Sequence, residues 1–258
     1  MAACADATPA EVRLLRSLVA WALGRIAQSD APYHDIDHSI AVCDVARLLL
    51  LGRKTAGAAV SAGDWLHLIA AAALHDIGYL HGIVSGDRPG RAITTGDGKT
   101  RRLSANATDA ALAAWHVDRA VIVIRQRLAG VPYLDGERLI AAVEATRFPP
   151  PARDEAGPEG RMLRAADLIG QFADPAYPRK IPGLFVEFRE TGEAARQGYA
   201  VPSDIWSGFP AFYDSIVSPQ VEQFLPLLAL TAEGRGCAAA LALNRRRAAL
   251  MQDRPRGG

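Results

Sequence analysis

Histidine and aspartate side chains occur close together at two points of the chain. His34 and His38 lie four residues apart near the predicted start of a helix, so their rings can share one helical face. His75 and Asp76 stand side by side at the end of a run of alanine and leucine. Because a buried charge without a partner is costly, we expect this pair to bind a positively charged group such as a metal ion.

A further acidic residue, Asp167, stands in an apolar helical pattern later in the chain. Asp167, Gln171 and Asp174 are spaced to lie on one face of that helix. Two imidazoles and two carboxylates suit zinc, manganese or iron better than calcium, which prefers oxygen ligands alone. Four protein ligands leave an octahedral ion open positions for water and a phosphoryl oxygen, which is what hydrolysis needs.

The elements that must position these residues are predicted to be helices. Apolar residues recur at helical spacing, and Thr8 with Pro9 is the predicted cap and first turn of the first helix. No alternating strand pattern is evident, and the pair Asp97-Gly98 is expected inside a polar loop. The predicted helices cover about 9–28, 37–52, 64–77, 107–129, 135–147, 159–172 and 181–197, with two or three more between 203 and 252.

The chain is predicted to form a single compact all-α bundle. Residues 84–105 and 149–160 are rich in turn-forming residues and are expected to be surface loops. Nothing marks a linker, so one domain is expected over residues 1–252. We expect its metal-site core at about 30–175, its C-terminal helices at 180–252, and a disordered tail at 253–258.

Composition argues against several classes of protein. Half of the 258 residues are hydrophobic, enough for one deep core, and a formal net charge of +1 gives no basic footprint for nucleic acid. The three cysteines lie far apart, which argues against a thiolate zinc site and favours a reduced setting. No signal peptide and no membrane-spanning apolar run is recognisable, so we expect a soluble cytoplasmic protein.

The order of the candidate metal ligands resembles that of a known superfamily. A histidine followed 37 residues later by the pair His75-Asp76, and then by Asp167, is similar to the H…HD…D pattern of the HD superfamily of metal-dependent phosphohydrolases. The segment around His34 and His38 resembles the Tyr-His-Asn-x-x-His motif of cyclic-nucleotide phosphodiesterases. Together these motifs span about residues 30–175.

The resemblance implies a ligand set for the metal. In it, His38, His75, Asp76 and Asp167 hold a divalent ion, which could be zinc, manganese, iron or magnesium. Dimetal relatives, including oxygenases and cyclic-di-nucleotide hydrolases, need a further histidine, and no histidine follows His116 in this chain. We therefore expect one firmly held ion, with any second ion bound weakly through Asp76 and water.

The resemblance also implies catalytic roles. His34 corresponds to a proposed proton donor to the leaving oxygen. The segment from Trp115 to Ala120 is similar to one whose histidine, here His116, helps bind the water that bridges two metals. Asp35 and Ala120 depart from the asparagine and serine usual at these places. A merely structural role stays open for both histidines.

Other polar residues are candidates for substrate binding or for the core. Arg119, Gln171 and Lys180 are the candidate substrate-binding residues, the alternative for the two cations being an ordinary surface ion pair. His67 is expected to pack in the core, and His81 is expected to lie in a loop.

The expected activity is hydrolysis of a nucleotide or another small phosphorylated molecule. Asp76 would orient the attacking water, and His34 would protonate the departing oxygen. Two alternatives remain open: an HD-type diiron oxygenase, against which the missing histidine argues, and a non-catalytic HD-fold sensor or scaffold, against which the complete ligand set argues. The sequence leaves the substrate and the oligomeric state open.

Overall fold

Helices follow one another along the chain, as the apolar periodicity predicts. The computed structural model describes residues 6–150 and 155–252, with side chains as far as Leu250, so the predicted tail at 253–258 lies outside it. In order, the α-helices are α1 (Pro9–Ile26), α2 (Ile36–Thr55), α3 (Ala62–Leu74), α4 (His116–Arg127), α5 (Gly136–Glu144), α6 (Pro158–Phe172), α7 (Tyr177–Thr191), α8 (Glu193–Gln197), α9 (Pro202–Phe212), α10 (Ser218–Val221), α11 (Leu225–Ala229) and α12 (Ala232–Gln252).

The most apolar of these helices, α3, lies at the centre of the fold. Every residue from Ala70 to Leu74 is fully buried. A helix that is apolar on all sides has to be enclosed, and α3 packs against α1, α2, α5 and α6. The all-α prediction is therefore confirmed. Within the described part of the chain, no helix is long and apolar enough to cross a membrane.

The first helix begins where its capping residues predict. The hydroxyl of Thr8 accepts a hydrogen bond from the backbone N–H of Glu11, and the Glu11 carboxylate accepts one from the backbone N–H of Thr8. This reciprocal capping satisfies two backbone donors that a helix start leaves without partners.

Two predicted helices have different boundaries in the structure. Residues 107–129 do not form one helix: a 3₁₀ segment, Asp109–Trp115, precedes α4. The backbone of Trp115, with φ −125° and ψ 3°, breaks the helical path, so α4 starts at His116. The helix predicted at 181–197 is divided into α7, which begins at Tyr177, and α8. The division lies at Gly192, whose φ of +79° is left-handed.

Residues 84–105 are not entirely loop, which corrects the sequence prediction. The strand β1 (Arg91–Ile93) pairs antiparallel with β2 (Thr100–Arg102). Asp97-Gly98 lies in the turn between them, where Gly98 has a φ of +83°. The pair is a known hairpin signal, but strands of three residues are too short to show alternation in the sequence.

Gly78 lies where the segment after α3 meets the start of α4. It belongs to a 3₁₀ turn, Ile77–Tyr79, that follows the end of α3. A Cβ atom on Gly78 would lie 1.8 Å from the carbonyl oxygen of His116 and 2.7 Å from the backbone nitrogen of Ala120. Only glycine permits this approach, which brings the end of α3 close to His116.

Replacing Gly78 tests whether this contact is required. We expect Gly78→Ala to lower the free energy of unfolding by about 2–3 kcal/mol or more, because the neighbouring atoms belong to backbone and cannot move aside cheaply. Gly24→Ala is the matched control: Gly24 lies in α1 with open space around its Cα, so alanine should stabilise by about 0.5–1 kcal/mol. Urea denaturation of both variants measures the difference, and equal stabilities would contradict this account.

Candidate functional site

His38 stands in the first turn of α2, where an aspartate determines the start of the helix. The Oδ1 atom of Asp35 accepts a hydrogen bond from the backbone N–H of His38 at 3.0 Å. The aspartate that replaces the expected asparagine therefore serves as the helix cap. The His38 ring is buried and lies 6.0 Å from the ring of Tyr33 and 5.5 Å from that of His75.

His75 and Asp76 follow the last residue of α3, and both are buried. The Nδ1–H of His75 donates to the carbonyl oxygen of Ala72 at 2.8 Å, so in the neutral ring Nε2 carries the lone pair. This Nε2 lies 3.1 Å from the Oδ2 atom of Asp76, yet neither atom has a hydrogen-bond partner. With a neutral His75 ring, two acceptors would face each other in a buried space, which is unfavourable unless a proton or a metal ion lies beside them. Burial opposes protonation of His75, but the charge of Asp76 outweighs it and raises the pKa of the ring.

His38, His75 and Asp76 form a compact cluster. Their ligand atoms all lie within 4.8 Å of one another, so the cluster could hold a metal ion. The Oδ1 atom of Asp167 lies 3.2 Å from the Nε2 of His38 and 3.8 Å from the Nε2 of His75. The structure therefore brings together the four residues predicted as ligands. Their nitrogen and oxygen donors, two of them unpartnered, fit a divalent transition metal.

Asp167 reaches the cluster because α6 packs closely against α2. A Cβ atom on Gly170 would lie 3.1 Å from the backbone nitrogen of Val42 in α2. Ala165 and Ala166 are fully buried on the same helix. Small residues therefore allow the two backbones to approach, and a carboxylate in α6 can reach a histidine in α2.

Asp76 presents its other oxygen to His116, the first residue of α4. The Oδ1 atom of Asp76 lies 3.7 Å from the Nε2 of His116. The Nδ1–H of His116 donates to the carbonyl oxygen of Ala113 at 2.6 Å, so the Nε2 lone pair is directed away from that bond. Burial lowers the pKa of His116 despite the nearby charge of Asp76, which favours the neutral ring that a ligand needs.

His34 precedes α2 and is held by Glu187 from α7. The Nδ1 of His34 lies 2.6 Å from the Oε2 of Glu187, whose Oε1 accepts the backbone N–H groups of Tyr33 and His34 at 2.7 and 3.0 Å. Burial opposes protonation of His34, but the charge and the hydrogen bond of Glu187 outweigh it and raise the pKa of the ring. A cationic His34 would have its Nε2–H free to donate.

Tyr79 lies between the two histidines that flank the cluster. Its ring stacks on that of His34, with centroids 4.6 Å apart, and on that of His116, with centroids 4.7 Å apart. The interplanar angles are 14° and 27°. One side chain therefore holds both imidazoles in place.

Two carboxylates make the cluster a site for positive charge. Burial opposes protonation of His38, but its hydrogen bonds and charge interactions with Asp167 and Asp76 raise its pKa to about 10. Burial likewise opposes ionisation of Asp76, and the neighbouring His75 and His38 nevertheless hold the pKa of Asp76 well below its ordinary value. A metal ion would satisfy the same carboxylates.

A cavity of about 280 Å³ opens beside the cluster. His34, Asp76, His116 and Asp167 line it together with Gln171. Eight tyrosine and phenylalanine side chains also line it, together with aliphatic residues and with Arg147 and Arg164. The cavity therefore combines the polar cluster with a largely aromatic and aliphatic wall that also carries two arginines. Gln171 is in place for its predicted role in substrate binding, which stays a prediction.

The prediction that Arg119 binds phosphate is wrong. Its side chain is fully buried and pairs with Asp87 at 2.9 Å. Its other donors bond the carbonyl oxygens of Gly78, Leu80 and Ile93. Since its guanidinium is already surrounded by protein acceptors, Arg119 joins α4 to the segment after α3 and has no donor directed at a substrate.

Lys180, the other predicted phosphate contact, lies away from the cluster. It lines an open groove of about 1010 Å³ that has no described lining residue in common with the cavity. Its Nζ lies 2.9 Å from Asp174 and 3.7 Å from Asp37. Asp174, predicted on the face of Asp167, follows the end of α6 and lines this groove instead.

The remaining two histidines, His67 and His81, do not line the cavity. His67 is buried in α3, where its Nδ1–H donates to the carbonyl oxygen of Gly63 and its Nε2 accepts the backbone N–H of Asp135. His81 lies in the segment after α3 and contacts the carbonyl oxygen of Arg88 at 3.0 Å. Both positions agree with their predicted roles.

Two residues that hold the site together, Glu187 and Tyr79, were not predicted from the sequence. Glu187 is 153 residues from His34 in the chain, so its role depends on how α7 packs. One signal was present: Glu187 is a lone acid in the apolar run that follows Gly183, the same reasoning that selected Asp167. Tyr79 follows Gly78 directly, but no spacing rule predicts that it stacks on two rings.

The buried pair of Arg119 and Asp87 gives a test of the corrected role. Asp87→Asn leaves a buried guanidinium without its counter-charge, so we expect a loss of about 3 kcal/mol in the free energy of unfolding. Glu137→Gln is the matched control, because Glu137 also pairs with an arginine of α4 but is 78% exposed, and its loss should stay below about 1 kcal/mol. Thermal and urea denaturation give both values. Equal losses would show that the Arg119 pair is not a structural clamp.

Comparison with known proteins places the chain in a family. A family model described as Npun_R2479-like matches residues 9–247, which cover the histidine–aspartate cluster, the cavity and most of the C-terminal helices. No curated protein and no solved structure matches the chain. On the extent of that match, the chain belongs to the Npun_R2479-like family.

Proposed function

We propose that this chain is a metal-dependent phosphohydrolase or phosphodiesterase of the HD type, acting on a small phosphorylated molecule. The observation that carries the proposal is the buried pair of unpartnered acceptors, His75 Nε2 and Asp76 Oδ2, beside His38 and Asp167. That donor set opens into a cavity that His34 also lines. A proton donor and a cation site therefore face the same small volume.

His38, His75, Asp76 and Asp167 would hold the ion, which could be zinc, manganese, iron or magnesium. When bound, such an ion supplies activation of water and polarisation of a phosphoryl oxygen. Any second ion would be weakly held, and the space between Asp76 Oδ1 and His116 Nε2 is where we propose it, or a bridging water, to lie.

The chain's own residues supply positioning and proton transfer. Asp76, with one oxygen toward the cluster and the other toward His116, would orient the attacking water. His34 would give the proton on Nε2 to the departing oxygen, because Glu187 holds Nδ1 and raises the pKa of the ring. Tyr79 would keep His34 and His116 at a fixed separation.

The setting that we propose is the reduced cytoplasm, with no nucleic-acid or membrane partner. The free thiols of Cys43 and Cys237 support that setting. A cavity of about 280 Å³ supports a small molecule as the substrate in preference to a polymer.

Four variants separate metal binding from proton donation. We expect His75→Ala to lose the metal and the activity together, and Asp76→Asn to lose activity. His34→Gln should keep the metal but lower kcat by about 10²–10⁴-fold on an alkyl phosphoester, whose leaving oxygen needs a proton. On a 4-nitrophenyl ester, whose leaving group is stable as an anion, the loss should be smaller. His81→Gln, the control, should retain both properties.

Metal content per chain and steady-state kinetics on the two kinds of ester, followed by a nucleotide panel, measure these effects. Full activity in Asp76→Asn would contradict the proposed function. Absence of bound metal in the unmodified protein would favour a sensor or scaffold. Two tightly bound irons without hydrolysis would favour an oxygenase.

A further inference from the structure

We propose that Arg164 binds a second oxyanion of the substrate, so that the substrate is a small organic phosphate that carries a further carboxylate or phosphate group. This inference rests on the proposed function and narrows it. Three observations support it: the place of Arg164 in the cavity wall, the way in which its guanidinium is held, and the different surroundings of two other arginines near the site.

The first observation is that Arg164 and Asp167 share one face of α6. They are three residues apart on the helix, and both line the cavity. Residues at this spacing have Cβ atoms about 5–6 Å apart. A guanidinium and a candidate metal ligand therefore border the same small volume, at a separation that one small molecule can span.

The second observation is that Arg164 is buried and held in place by neutral groups. Only 4% of the residue is exposed. Its Nε–H donates to the carbonyl oxygen of Ala145, and its Nη1–H donates to the Oε1 of Gln220 at 2.8 Å. Because both acceptors are neutral, these two contacts orient the guanidinium without cancelling its charge. In a buried position, a positive charge attracts an anion more strongly than it does in water.

The third observation is that two other arginines near the site have different surroundings. Arg119 pairs with the carboxylate of Asp87 and is not among the described residues that line the cavity. Arg147 does line the cavity, but its side chain is 40% exposed and pairs with the carboxylate of Asp118 at 2.8 Å. Of the three, Arg164 alone combines a buried guanidinium with a place in the cavity wall.

The chemistry of the guanidinium indicates which group it would bind. Its planar arrangement of N–H donors matches the oxygen atoms of a carboxylate or a phosphate, with which it forms paired, charge-assisted hydrogen bonds. The reacting phosphoryl group would lie at the histidine–aspartate cluster, and the second oxyanion would lie at Arg164. Binding at two points fixes which ester bond faces the cluster. The volume of about 280 Å³ limits the molecule to a compact skeleton.

Non-hydrolysable phosphonates test the second oxyanion by binding alone. Phosphonocarboxylates with about two to four methylene groups between phosphorus and the carboxyl group match the estimated separation. Their carboxamides have nearly the same shape but no charge at that end. Calorimetry on the metal-loaded protein should give a dissociation constant about tenfold or more lower for the best acid than for its amide. Bisphosphonates with the same spacers identify the source, since tighter binding than the acid indicates a second phosphate and weaker binding indicates a carboxylate.

Variants of α6 test whether Arg164 is the residue responsible. Arg164→Gln should reduce the preference for the acid over the amide to about twofold or less, because the charge is removed. Arg164→Lys keeps the charge and should retain a preference of about threefold, which preserves the test if the glutamine variant does not fold. Arg161→Gln is the matched control. Arg161 lies on the same helix, donates to the carbonyl oxygen of Ala156 and is not among the described residues that line the cavity. Its loss should leave the preference unchanged.

Acids that bind no better than their amides at any spacer length, or that do not bind at all, would overturn the inference. A preference that persists in Arg164→Gln, or that falls equally in Arg161→Gln, would overturn the role of Arg164. A preference confined to phosphonoacetate, whose short spacer lets both groups chelate the metal, would assign the second oxyanion to the ion and would also overturn that role.

The proposed function is tested separately on the same preparation. Metal-dependent hydrolysis of a simple ester without a second anionic group would leave the proposed function standing in each of those cases. Loss of both metal binding and hydrolysis would instead remove the proposed function.

Discussion

The candidate site centres on two buried atoms that face each other without a hydrogen-bond partner, His75 Nε2 and Asp76 Oδ2. Because its Nδ1–H is committed to a carbonyl oxygen at the end of α3, a neutral His75 would direct the lone pair of Nε2 toward Asp76 Oδ2. Neither atom can reach water, so the arrangement is costly without a positive charge nearby. His38 and Asp167 complete the surroundings of that position. A cation site is the simplest physical reason for four such side chains to converge in a core of alanine and leucine.

The side chains of the cluster come together because three of the helices present their ends to it and because two glycines allow close packing. The site uses the start of α2, the end of α3, the start of α4 and the middle of α6, so four elements must meet within a few ångströms. Gly78 lets the segment after α3 touch α4, and Gly170 lets α6 approach α2. Glu187 then ties α7 to the segment that carries His34. If any of these segments moved relative to its neighbour, the candidate ligands, which come from different helices, would be separated.

Much of the site could be predicted from the sequence because its residues stand in local patterns. A His-Asp pair at the end of an apolar run and an acid in an apolar helix are visible without a structure. Glu187 was missed because its partner lies 153 residues away. Arg119 was misjudged because helical spacing does not reveal that a guanidinium is enclosed by backbone carbonyls. The helical fold followed from periodicity, whereas the hairpin did not, since its strands are too short to alternate.

X-ray absorption spectroscopy of the zinc-loaded protein tests the central claim most directly. The account predicts one zinc ion per chain, scattering from two imidazoles at about 2.0–2.1 Å, further oxygen ligands at about 2.0–2.2 Å, and no sulfur ligand. His75→Ala should lose one imidazole from that pattern or fail to bind zinc. A sulfur shell, an ion without imidazole ligands, or no stoichiometric zinc in a folded protein would contradict the account.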